Sequence, residues 1–154
     1  MKTGQLATLF EQIQRIVYPF YNAIYNDNYS RSGDKDSAKL HSYMLLVLEI
    51  YIADYKEKLN LSKTPFIKLT GDSVLRHAIL TEYRYPIEQA NSLSLQKMVF
   101  LLLKHLSPDS FCEGVRDYLN VIKLNSDHSK IDWNLKVNWN LGDGAYYLSE
   151  SDTE

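Results

Sequence analysis

The sequence reads as mainly α, an irregular bundle of about five helices carrying a C-terminal β-strand or β-hairpin, in one domain spanning residues 1–154. Three observations give that reading. Through positions 5–124, apolar residues recur three and four apart, which places them on one face of a helix. From Ile131 to Leu141 they recur every second residue, the period of a half-buried strand. The 154 residues, 45% of them apolar, are enough to bury a core without staples. The expected divisions are a helical body over 5–124, a β segment over 130–148 and a frayed acidic tail over 149–154.

The first helix is expected from about Gln5 to Asn26, with Leu6, Leu9, Phe10, Ile13, Ile16, Val17, Phe20 and Ile24 at helical spacing. Pro19 lies inside this pattern and should kink or divide the helix, because it removes a backbone donor. The polar stretch Asn26 to Ser37 is loop chemistry. A second helix starts at Asp36 or Ser37 and runs to about Leu59. Its centre, Tyr43 to Tyr55, is apolar on most of its circumference, as in a helix covered by neighbours on all sides. A third helix is expected over Ser73 to Tyr83, stopped by Pro86. A fourth runs from Asn91 or Ser92 to about Leu106, and a fifth from Ser107-Pro108 to about Leu124 with Cys112 on its inward stripe. Ile131, Trp133, Leu135, Val137, Trp139 and Leu141 then alternate with polar residues, and Gly142-Asp143-Gly144 turns the chain into a possible return strand over Ala145 to Leu148.

Composition excludes several classes. Seventeen Lys and Arg against 19 Asp and Glu give a net charge of −2, without the basic excess of a nucleic-acid binder. A single cysteine allows no internal disulfide and fits a reducing compartment. Glu49 and Asp54 interrupt the most apolar window, which is too short to span a bilayer. The expected location is cytoplasmic, with no membrane partner and no cofactor.

Motif chemistry is sparse. No two of His41, His77, His105 and His128 have the close spacing of a zinc pair. Gly71-Asp72-Ser73-Val74 echoes the nucleophile block of GDSL-type hydrolases. That family places an Asp three residues before a late His, and here His128 follows Asn125. The echo therefore reads as a helix cap. An enzyme would have to assemble its site from His77, Asp72, Glu82 and Arg84 around the third helix. A DNA-binding regulator would need Arg76, Arg84 and Lys97 on one face.

Two surfaces resemble interfaces. Tyr18, Tyr21, Tyr25 and Tyr29 step by three, four and four residues. At helical pitch they lie roughly 120° from the apolar stripe of their own helix. Tyrosine suits such a place, with an apolar ring and a hydroxyl that tolerates water. The C-terminal segment offers Asn134, Asn138 and Asn140 on its polar face, followed by Glu150, Asp152 and Glu154. The expectation from these features is a non-catalytic protein-binding or inhibitory protein. More narrowly, it is a toxin-neutralising protein of the immunity or antitoxin kind, its partner a basic toxin or nuclease steered by complementary charge.

Overall fold

The computed structural model describes residues 1–25, 33–59, 66, 69–123 and 130–149. Helix α1 spans Thr3–Val17, and Gln5 caps it by accepting a 2.9 Å bond from the Lys2 amide. Pro19 divides the first helix as its chemistry requires: a 3-10 turn, Tyr18–Tyr21, follows α1 and ends at Asn22 in the left-handed region, φ 55°. Helix α2, Gly33–Leu59, begins about a turn earlier than its cap residues suggest, with Asp34 and Asp36 in its first turn. From Met44 to Ile52 every residue of α2 is buried, so the helix runs through the middle of the molecule.

Helix α3, Asp72–Tyr83, packs on α2. The single fourth helix expected from sequence is two pieces: a one-turn α4, Ile87–Ala90, and α5, Leu95–Leu101, which packs against α3. Pro86 stops α3 but also sets the backbone that starts α4, a second use of the same residue. Helix α5 opens at Ser94, whose hydroxyl accepts from the Lys97 amide. A 3-10 turn over Pro108–Ser110 precedes α6, Glu113–Ile122, which rests on α1 and buries Val115 and Leu119. Cys112 is the cap residue of α6 and is exposed, so the thiol expected on the inward stripe lies outside it.

The C-terminal reading needs the largest correction. Among the described residues there is no β-strand, and neither the strand nor the hairpin forms. Residues 130–141 are irregular chain without a ladder partner, interrupted by a turn at Trp133–Asn134 that the Leu135 amide closes on the Asp132 carbonyl at 3.3 Å, and Ala145–Leu148 is a helical turn, α7, lodged against α1 and α2. The period of two is nonetheless realised in burial. Ile131, Trp133, Leu135, Val137, Trp139 and Leu141 face the helices, while Asp132, Asn134, Lys136, Asn138 and Asn140 face solvent. An extended backbone alternates its side chains whatever it lies on, and here it lies on helices. The result is a strap, 130–149, laid across the bundle.

No helix among the described residues is long and apolar enough to cross a membrane.

Candidate functional site

The strap is fastened by a carboxylate in the centre of the bundle. Glu49 is 1% exposed and sits mid-way along α2. Its Oε1 accepts from the Trp139 indole N–H at 3.0 Å and from the Gly142 amide at 2.8 Å. The Gly144 amide donates to the same carboxylate. Any side chain at position 144 would run into it, since a Cβ there would stand 2.6 Å from Oε2. Burial pushes the Glu49 carboxyl above its ordinary range, and the three donors pull it back only in part. Beside this clasp two glycines meet. Gly71, the cap of α3, has φ 56°, and a Cβ on it would collide with the Leu141 carbonyl. Gly142, at φ 102°, backs onto the Gly71 amide.

The N-terminal end of the strap is held by a second buried polar relay. The Asp132 amide donates to the Tyr21 hydroxyl at 2.9 Å, and that hydroxyl lies 2.7 Å from His41 Nδ1. The Tyr21 hydroxyl and His41 Nδ1 share one proton-bearing hydrogen bond, so the hydroxyl joins the strap amide to the imidazole. His41 is 4% exposed, and its burial holds the imidazole below its usual pKa, so it is neutral near pH 7. At the far end, the Gln5 side chain that caps α1 also donates 3.0 Å to the Ser149 carbonyl and ties α7 to α1.

These anchors absorb part of the tyrosine stripe. Tyr18 and Tyr21 are 3% and 9% exposed, so they are core residues and do not form an outward surface. Tyr25 is half-buried, edge-on to Tyr18 at 5.6 Å and under the Arg15 guanidinium at 4.9 Å. The division of the helix at Pro19 turns the stripe inward, because the angle between it and the apolar face assumed one continuous helix. Asn134, Asn138 and Asn140 do face solvent. Tyr29, Glu150, Asp152, Glu154 and His128 lie outside the described residues.

The residues that an enzyme would draw from α3 diverge. Asp72, His77 and Glu82 are five apart, about 140° around the helix at each step. Asp72 pairs with Arg76 on its own helix at 2.5 Å. His77 Nδ1 meets the Tyr55 hydroxyl at 2.8 Å. Glu82 bridges Lys104 and His105, both at 2.6 Å, and the ammonium first and then the imidazole hold its carboxyl below the ordinary range. Arg84 is the left-handed cap of α3 at φ 49°. Arg76 is committed to Asp72 and is half-buried, which removes it from the face a DNA reader would share with Arg84 and Lys97. Ser73 closes a turn by donating 2.6 Å to the Thr70 carbonyl and accepting from the Thr70 amide, the work of a cap. No group of three or more metal-ligating side chains converges among the described residues.

No protein-family model, curated protein or solved structure matches the chain.

The surface that stands out is at the other end of α3 and α5. The Tyr83 hydroxyl donates 2.6 Å to the Leu101 carbonyl and ties the C-terminal ends of the two helices together. Around that tie Phe100 is 72% exposed, Leu103 56% and Tyr83 41%, with Ile87 at 72% four residues beyond Tyr83. Phe100 lies in the last turn of α5 and Leu103 opens the 3-10 turn Leu103–His105 that follows it. Glu82 and Lys104 supply charged neighbours. The sequence pattern expects one continuous helix to about Leu106, whereas α5 ends at Leu101 and Leu103 opens a separate 3-10 turn. The break after Leu101 rotates Leu103 outward.

Proposed function

We propose that the chain is a non-catalytic protein-binding protein of the cytoplasm, of the toxin-neutralising immunity or antitoxin kind. It engages its partner through Phe100, Leu103, Tyr83 and Ile87, with the asparagine face of the strap as a polar flank. The observation that supports this most is the grouping of Phe100 and Leu103, more than half exposed, beside a Tyr whose hydroxyl is already engaged. Single exposed apolar residues are ordinary, whereas neighbouring ones with aromatic anchors and a charged border have the make-up of an interface centre. A chain of net charge −2 suits a basic partner, because opposite charge speeds encounter and rejects wrong partners.

The experiment is a pull-down with this chain from its source cell, followed by co-expression with the partner recovered. A one-to-one complex by native mass spectrometry, together with relief of toxicity, is expected. Both should be lost in Phe100→Asp and Leu103→Asp with circular dichroism unchanged. Absence of a complex with the wild-type chain, or a complex indifferent to both substitutions, would remove the reading.

A further inference from the structure

The cleft between the strap, helix α2 and the start of α5 has a volume of about 450 Å³. That volume falls in the range of small-molecule sites, roughly 300–1,000 Å³. Its apolar lining includes Leu45, Leu95 and both tryptophans of the chain, Trp133 and Trp139. Trp139 is buried and its indole N–H is fixed on Glu49 at 3.0 Å, so its ring is a preset wall. Aromatic walls of this kind take a flat, apolar body.

The polar groups of the cleft are mixed in character. Ser94, Gln96 and Asn134 line it, and a hydroxyl or a carboxamide both donates and accepts. The Ser94 oxygen already accepts from the Lys97 amide and keeps its O–H to give. His41 lines the cleft at 4% exposure, with its Nδ1 taken by the Tyr21 hydroxyl. Among the described residues Arg76 Nε is the one buried side-chain nitrogen or oxygen without a partner. His41 Nε2 has no partner among them either, so it keeps an opening, and that opening is the cleft. Whichever ring nitrogen holds the proton, Nε2 offers one hydrogen bond, as donor or as acceptor. Charge is balanced here. The Asp132 carboxylate acts on His41, and the Lys136 ammonium is exposed on the cleft lining, so neither sign of ion is favoured. A neutral ligand whose edge both gives and takes hydrogen bonds suits these groups without burying a charge.

We infer that this cleft binds a small, neutral, planar heterocycle with a lactam edge, an N–H beside a carbonyl, the class that includes the oxo-pyrimidine and oxo-purine bases. Its flat face lies against the tryptophan walls, and its edge meets Gln96, Asn134 and His41. Each carboxamide carries the acceptor and the donor that match a lactam. None of the lining residues belongs to the surface around Phe100 and Leu103, so the site stands independently of the proposed protein interface.

Nitrogen–proton correlation NMR reads the site directly, since the two indole N–H signals come from its walls. The full chain is titrated separately with three probes. These are 2-quinolone, its N-methyl derivative, which keeps the ring and carbonyl and loses the N–H, and quinaldate, which puts an anion in place of the lactam. A saturable shift of the Trp133 signal is expected with 2-quinolone. Its affinity should be about tenfold above that of either other probe, the effect of losing one hydrogen bond and leaving its partner unpaired. Gln96→Ala combined with Asn134→Ala, both at exposed positions, should bring 2-quinolone down to the affinity of its N-methyl derivative and leave the derivative unchanged. Trp133→Leu should weaken both, followed on the Trp139 signal. Phe100→Asp should change none of the titrations. The inference is overturned if 2-quinolone gives no saturable response, if the N-methyl derivative or quinaldate binds as tightly, or if the double substitution leaves 2-quinolone binding intact.

Discussion

Helix α2 and the strap over 130–149 meet face to face, yet each satisfies its backbone in a different way. A helix bonds its own amides and carbonyls, so α2 can be buried on every side from Met44 to Ile52. An extended chain without a ladder cannot do this. The strap therefore stays at the surface, turns every second residue to water, and takes its buried amides to side chains of the bundle. Asp132 gives its amide to Tyr21, and Gly142 and Gly144 give theirs to Glu49. The body is held by apolar packing spread over many residues, the strap by a few polar anchors. Loss of one residue should therefore cost most at the anchors.

The largest effect is expected at Glu49. Replacing it by Ala leaves the Trp139 indole and the Gly142 and Gly144 amides without their acceptor. Unsatisfied buried donors cost about 1–3 kcal/mol each, and relief of the buried carboxylate offsets part of this, so a net loss of about 3 kcal/mol is expected in urea unfolding. Gly71→Ala comes next. It forces a side chain into a left-handed backbone and onto the Leu141 carbonyl, at a cost of about 2 kcal/mol in the same experiment. Tyr21→Phe removes one acceptor and one donor at the N-terminal end of the strap and should cost about 1 kcal/mol. If Tyr21→Phe proved as damaging as Glu49→Ala, the two ends of the strap would be equally anchored.

The smallest expected effect is a pH dependence. The Glu49 carboxyl titrates higher in the folded chain than its ordinary value of 4.5. Below 4.5 its contribution is fully present. As pH rises through the raised folded value, the folded state must give up a proton that the unfolded chain has already lost, and that stability is removed. The stability difference between wild type and Glu49→Gln should therefore be greatest in mild acid and shrink toward neutrality. Unfolding curves of both proteins across that range check the sign. A difference that grew with pH would mean that the three donors outweigh burial.

How much of this was legible in the sequence differs between the same two regions. Helical periodicity gave the body, and the apolar circumference of Tyr43 to Tyr55 marked α2 as central. The period of two over Ile131 to Leu141 was equally regular and identified which residues turn inward. It did not show whether the chain was paired, because alternation belongs to extended backbone and not to the ladder. The anchors were present only as an inconsistency. Glu49 interrupts an apolar run, and a carboxylate in such a place must meet donors. Its donors are 90 and more residues away, and no local spacing points to them. The exposed Phe100 and Leu103 were hidden for the opposite reason, since a continuous helical pattern concealed the break after Leu101.

Hydrogen exchange at the Trp139 indole and the Gly142 amide tests the clasp most directly, because each proton points at Glu49 Oε1. In the wild-type chain both should be protected to the level of the amides of α2. In Glu49→Gln they should exchange markedly faster while the α2 amides stay protected. If these two protons exchanged at the free rate in the wild-type chain while α2 remained protected, the strap would not be fastened to the bundle through Glu49.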